Sequence, residues 1–187
     1  MENFDGDPRL ALIAVNFSTT CYLKLMLLTL CEQRDLHRVH RIVIVDNDSR
    51  DEGKPFLRRL AACVQRLHLV ENRFFPTHAR GLRNGAAFLN QYEASGSTSR
   101  PCNLFLFCDT DVIFLNPRTL TDLTAALAEP KAALAGEMRR ELFPSPEAQS
   151  SFFLLRRDCY ARPDVAPFVH HGAPTYWMQR SLWRAQL

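Results

Sequence analysis

Asn103-Leu104-Phe105-Leu106-Phe107-Cys108-Asp109-Thr110-Asp111-Val112-Ile113-Phe114 is an apolar run interrupted by two carboxylates. Four consecutive large apolar residues, 104 to 107, fit a strand covered on both faces, as in a parallel sheet between layers of helix. Acids at the carboxyl end of such a strand lie where open α/β sheets bind their ligands. In extended backbone, Asp109 and Asp111 leave on the same side and Thr110 on the other. Converging carboxylates repel unless a proton, an arginine or a cation compensates them. With oxygen donors alone the cation is hard, Mg2+ or Mn2+, and shared with a substrate phosphate. An isolated Asp-x-Asp is also an ordinary turn, so its surroundings have to decide.

Upstream, Arg9 to Phe17 reads as a strand, and Ser18, Thr19 and Thr20 offer caps for a helix whose inner stripe is Leu23, Met26, Leu27 and Leu30. Arg41 to Val45 is a second strand, ending in the acidic cluster Asp46-Asn47-Asp48-Ser49. Strand, helix and strand make a right-handed crossover, so both strands exit on the same edge. There Asp46 either accepts hydrogen bonds from a base or ribose or closes an Asx-turn. Pro55 to Val64 predicts a helix, Gln65 to Val70 a short strand leading to Glu71 and Asn72, and Arg73 to Thr77 a loop capping a helix from His78 to Tyr92. Ala79, Leu82, Ala86 and Leu89 form the inner side of that helix, and Arg80, Arg83 and Asn84 fall in its first two turns. A helix start beside strand ends favours phosphate. Gly81 and Gly85 let its backbone pass close to a ligand or a neighbouring strand. The glycine pattern of dinucleotide enzymes is absent after the first strand, where Asn16-Phe17-Ser18-Thr19-Thr20 stands.

Downstream, Asn116-Pro117 opens a helix to Ala128, and Lys131 to Gly136 is a strand running into Glu137. Leu142 to Gln149 reads as irregular, and Ser150 to Leu155 as a last strand, antiparallel at the sheet edge. A short amphipathic helix from Tyr176 to Gln186 carries Trp177, Leu182 and Trp183, which need a surface to cover. A further C-terminal portion or a second copy of the chain, making a homodimer, would supply it. The pattern predicts an α/β fold with a Rossmann-like, mostly parallel sheet flanked by helices and an antiparallel edge strand.

A chain of 187 residues with 47% apolar content fits one domain with a sizeable core. A formal charge of +3 is too small to imply nucleic acid, though it suits an anionic small ligand. The six cysteines show no Cys-x-x-Cys pair, and Cys31 and Cys108, in or beside apolar runs, read as buried thiols, which favours a reducing compartment. Met1 to Pro8 is no signal peptide, and the longest apolar stretch, Leu25 to Cys31, is far short of the ~20 residues that span a bilayer. The expected location is the cytoplasm.

The chain resembles the GT-A nucleotide-sugar glycosyltransferases, and among them the family 2 type. The resemblance rests on Val15-Asn16-Phe17, Ile44-Val45-Asp46-Asn47-Asp48-Ser49, Glu71-Asn72 before the arginine and glycine helix, and Leu106-Phe107-Cys108-Asp109-Thr110-Asp111, in order over residues 9 to 137. It implies a single catalytic domain, 1–187, with a nucleotide-sugar-binding half (9–115) and an acceptor-side half (116–187) that is C-terminally incomplete. It implies that Asp46 reads the base, that Val15, Asn16 and Phe17 hold base and ribose, and that Asp109 faces ribose or sugar. Asp111 binds Mn2+ or Mg2+, and Asp48, Asn72, Arg80, Arg83, Asn84 and Thr110 complete the donor side. Transfer of a hexosyl or N-acetylhexosaminyl group from a nucleoside diphosphate sugar, with UDP favoured, to a small-molecule or carrier-bound acceptor inverts the anomeric carbon, as in natural-product assembly.

Two departures stand out. Arg73-Phe74-Phe75 replaces the glycine usual after Asn72, and the Glu-Asp pair expected near the C-terminal helix is missing, since 165–187 contains no carboxylate. Base duty then falls to His171, His170, Asp158, Glu137 or residues beyond this chain, or the acceptor is an amine that attacks without prior loss of a proton, giving N-glycosyl transfer. The alternatives are a sugar nucleotidyltransferase and a non-catalytic nucleotide-binding scaffold.

Overall fold

The computed structural model describes residues 7–97, 100–129, 131–139, 147–170 and 173–187. Six strands form one sheet in the order β3-β2-β1-β4-β6-β5. They are β1 (Leu10–Asn16), β2 (Val39–Asp46), β3 (Leu67–Glu71), β4 (Leu104–Cys108), β5 (Leu134–Arg139) and β6 (Glu147–Arg156). β1, β2, β3 and β4 run parallel, with Asn16 beside Asp46 and Ile13 beside Phe107. β6 is antiparallel to both of its neighbours.

Every residue of β1 and β4 is buried, as expected for strands covered on both faces. Alternation divides their side chains between two cores. Ile13, Val15, Phe105 and Phe107 face the layer of α3 (His78–Tyr92) and α6 (Tyr176–Arg184). Leu12, Ala14, Leu104 and Leu106 face α1 (Thr20–Cys31), α2 (Gly53–Cys63) and α4 (Thr119–Ala126). Phe107 stacks on Phe153 at 5.0 Å between centroids and meets Phe168 edge-on at 4.9 Å. Burying each such ring is worth about 1.5–3 kcal/mol.

α3 lies unusually close to the sheet. A Cβ added at Gly81 would fall 2.7 Å from Val15, and one at Gly85 2.6 Å from Ile13. The two glycines therefore serve helix-on-strand packing, the second of the two uses their spacing allowed. Thr77 caps α3 by accepting a hydrogen bond from the Arg80 amide at 3.3 Å.

The structure departs from the sequence pattern in several places, among them β5, which runs from Leu134 to Arg139 and so contains Glu137 rather than ending before it. α4 begins at Thr119 because Asn116-Pro117 forms the turn before it, with the Thr119 amide donating to the Asn116 carbonyl. β6 begins at Glu147, so 147–149 are strand rather than irregular chain, while 141–146 lie outside the described residues. β6 is antiparallel as expected but sits one place in from the edge, with β5 outside it. α6 buries Met178 and Leu182 and leaves Trp177 and Trp183 largely exposed. The six cysteines are free thiols; Cys108 is buried as expected, whereas Cys31 is exposed because the last turn of α1 turns Leu30 inward instead. No helix among the described residues is long and apolar enough to cross a membrane.

After β1 the chain builds β2 and β3 to one side and then returns to place β4 on the other. The carboxyl ends of β1 and β4 therefore flank the point where strand order reverses, the crevice in which open α/β sheets bind ligands. A separate, smaller hollow of about 230 Å3 between β5 and α6, walled by Leu134, Met138 and Trp183, carries no paired carboxylates.

Candidate active site

At the end of β1, Asn16 is fully buried and its side chain ties three segments together. Its amide nitrogen lies 2.9 Å from Ser49 Oγ, 3.1 Å from Asp46 Oδ1 and 3.3 Å from Thr20 Oγ1, while its oxygen accepts from the Thr19 hydroxyl at 3.1 Å. At the end of β2, Asp46 has no exposed surface. Besides Asn16, its carboxylate accepts from the Ser49 amide and faces Lys54 Nζ at 3.5 Å. Lys54 also pairs with Asp48, whose backbone is left-handed with φ of 58°. Buried charge has to be paired and hydrogen-bonded, and Asp46 meets that condition entirely within the protein.

A second chain of hydrogen bonds sets α3. The Asn72 side chain donates to Asn47 Oδ1 at 2.7 Å, and Asn47 Nδ2 donates to the Thr77 carbonyl at 3.0 Å. These two asparagines hold the cap residue of α3 against the end of β2, which places His78, the first residue of the helix, over the crevice.

At the end of β4 the chain turns. The Val112 amide donates to the Asp109 carbonyl, and the Asp109 amide donates to Ser151 O at 2.7 Å. Thr110 is buried and shares a 2.8 Å hydroxyl contact with Thr19. The backbone is thus not extended through Asp109-Thr110-Asp111. A turn, rather than strand alternation, brings both carboxylates to one cleft with Thr110 held between them.

That cleft, about 570 Å3, is walled by Val15 and Phe17 from β1 and its exit, Tyr22 from α1, Asn47 and His78 from the far side, and Asp109 and Asp111. Burial, with Asp111 adding repulsion, raises the Asp109 carboxyl to about 7. Burial lowers the His78 imidazole, whose Nε2 stands 3.3 Å from Asp109 Oδ1. A carboxylate pair held in this state attracts a compensating cation. Among the described residues no group of three or more His, Cys, Asp and Glu is placed to hold a metal ion. Asp109 and Asp111 would fit a hard cation if a ligand supplied its remaining oxygens.

The structure brings Val15, Phe17, Asp109, Thr110 and Asp111 to the cleft wall. It places Asn16 and Asp46 behind that wall, Asp48 on Lys54, and Asn72 behind Asn47. Arg80 lies over the Phe74 ring at 5.5 Å, and none of Arg80, Arg83 and Asn84 lines the cleft. Glu137 is exposed at a register shift in β5, where it borders a second hollow of about 250 Å3 with Val112, Ile113 and Phe152. Asp158 is paired with Arg156 at 2.7 Å, and the next residue, Arg157, donates to the Asn103 carbonyl just before β4. Asp158 therefore sits at the opposite end of the sheet from the cleft. His170 is exposed, and His171 lies outside the described residues. The sequence pattern missed His78, Asn47, Thr19 and Tyr22. Of these only Asn47, inside the acidic cluster after β2, carried a positional signal.

The strand order, the crossover at β1 and β4 and the acidic turn define a GT-A fold. No known family profile matches the sequence, and no curated protein does. Solved structures do. The mannosyltransferase PcManGT from Pyrobaculum calidifontis, in complex with GDP-Man and Mn2+, is similar with a TM-score of 0.69 and 18% identity, over 91% of this chain and 50% of that one. TarS 1–349 from S. aureus in complex with UDP-GlcNAc is similar with a TM-score of 0.64 and 15% identity, over 93% of this chain and 53% of that one. The chain thus spans about half the length of these structures.

Proposed function

We propose that the protein transfers a hexosyl or N-acetylhexosaminyl group from a nucleoside diphosphate sugar, UDP being favoured, to a small-molecule or carrier-bound acceptor with inversion. The observation that carries this reading is the pair Asp109 and Asp111 converging in one cleft at the strand-order reversal. Its fold neighbours, solved with GDP-Man and Mn2+ or with UDP-GlcNAc, support it. Asp111, exposed at the tip of the turn, and Asp109 beside it hold Mn2+ or Mg2+. When bound, such a cation offsets the charge on the departing diphosphate. Val15 and Phe17 wall the nucleoside, and Asn16 and Asp46 keep that wall in place from behind.

On the acceptor side, Glu137 takes the proton from the nucleophile. The hollow it borders shares the Asp109 to Val112 turn with the donor cleft. Asp158, the competing carboxylate, is held in its ion pair at the other end of the sheet. Neutral amine acceptors form a second reading, favoured by the absence of any carboxylate in 165–187.

Calorimetry with UDP and GDP, with and without Mn2+, tests the donor site, and turnover of the matching nucleotide sugar tests catalysis. Asp111→Ala should abolish the metal-dependent part of binding and leave thermal unfolding nearly unchanged. Unaltered affinity removes Asp111 from the metal site, and metal-dependent binding without turnover leaves a non-catalytic nucleotide-binding domain. Glu137→Gln should keep donor binding and lose transfer, and full transfer by that variant excludes Glu137 as the base.

A further inference from the structure

We infer that His78 is a positioning residue for the acidic turn. Its Nε2 stands 3.3 Å from Asp109 Oδ1, and this contact would limit the rotation of that carboxylate and so hold it for the cation. This rests on the metal-dependent reading of the same site. His78 is not core: its side chain keeps 37% of its surface exposed and lies in the cleft itself. Nor is its place an accident of a loose loop. Thr77, the residue before it, caps α3 through its side chain and is held to β2 through its carbonyl, by Asn47 and then Asn72.

The opposite side of the contact is held as firmly. The Asp109 amide is fixed by the Ser151 carbonyl, and Thr110 by Thr19. What those bonds leave undetermined is the rotation of the Asp109 carboxylate about its own bond. His78 Nε2 stands beside that carboxylate and can limit this rotation. Among the described residues two carboxylates, Asp109 and Asp111, line the site, so turning one away would remove one of the two available to the cation. Hydrogen-bonding partners of ligating groups typically contribute about 10- to 100-fold in metal affinity.

The test compares the wild-type protein with His78→Ala, His78→Phe and His78→Gln. Its readouts are the Mn2+-dependent affinity for UDP or GDP by calorimetry, and the electron paramagnetic resonance spectrum of bound Mn2+. Phe keeps the ring volume without the donor, so it serves if the alanine variant fails to fold. Gln carries an amide nitrogen at nearly the reach of Nε2. Alanine and phenylalanine should weaken the metal-dependent affinity about 10- to 100-fold and alter the Mn2+ spectrum, while glutamine restores both. Full affinity in the alanine or phenylalanine variant, or a glutamine variant as weak as they are, overturns the inference. A wild-type protein that shows no metal-dependent nucleotide binding instead overturns the proposed function, so the two failures are distinguishable.

Discussion

Replacing Asp109 by Asn removes one charge from the cleft while keeping an oxygen for His78 Nε2 to meet. In the metal-free protein the Asp109 carboxyl is raised from 3.8 to about 7 by burial and by Asp111. A carboxyl raised in the folded state binds its proton more tightly than the unfolded chain does. Its contribution to stability is therefore greatest below the unfolded value, and falls as pH climbs toward the folded one. Most of that loss lies between pH ~5 and pH ~7, where each unit costs at most ~1.4 kcal/mol, giving a ceiling of about 3 kcal/mol. Asp109 keeps 33% of its side-chain surface in water, and screening reduces the expected effect to about 1 kcal/mol. Urea unfolding in chelator at pH ~5 and pH ~8 measures it. Asp109→Asn should gain on wild type by about 1 kcal/mol more at the higher pH. Comparing the two proteins cancels the titrations of groups that do not sense Asp109. An equal gain at both pH values, or a larger one at the lower pH, refutes the strained carboxylate pair.

Gly81→Ala should lower stability by about 1–3 kcal/mol in urea unfolding, because the new methyl meets Val15 at 2.7 Å and α3 has to lift from β1. Lys54→Met leaves Asp46 buried beside Asn16 and Ser49 without its cation. A loss of about 1–3 kcal/mol is expected, whereas a change under ~0.5 kcal/mol would make the pair an ordinary surface one. Asn47→Ala cuts the link from Asn72 to Thr77. It should cost about 1–2 kcal/mol and weaken Mn2+-dependent UDP or GDP binding, since His78 loses its anchor, and calorimetry reads this directly.

The parts of the fold that could be read from the chain are those decided by local physics. β1 and β4 are buried on both faces, so their apolar runs have no competing explanation. α3 is framed by a cap at Thr77 and a regular inner stripe, and its bounds agree with the pattern residue for residue. The start of β6 was hidden because Glu147 and Gln149 are only half-buried and polar, giving no apolar run to show that this stretch pairs with β5. Its place between β4 and β5 depends on Phe153 stacking on Phe107, a contact between residues far apart in sequence. The same division holds at the site. Asp109 and Asp111 declare themselves by following a buried strand, whereas a lone histidine at a helix start declares nothing until the sheet sets it over Asp109.

Asp46 shows why the type of residue at a strand end does not settle its role. Parallel pairing in register sets Asn16 next to Asp46, and β4 ends beside them at Asp109. Several acids opening into one crevice would repel one another and any diphosphate brought there. The chain avoids this by drawing Asp46 inward, where Lys54 offsets its charge and Asn16 and Ser49 occupy its oxygens. Negative charge on the cleft wall is then concentrated on Asp109 and Asp111, on the turn that β4 delivers. The network around Asp46 also holds the residues that flank the cleft, Asn16 before Phe17 and Asn47 after Asp46 itself. For Asp46 to touch a base, its contacts to Asn16, Ser49 and Lys54 would all have to open. As it stands, its carboxylate supports the cleft wall from behind, and Asn47 is the residue from the β2 end that lines the cleft.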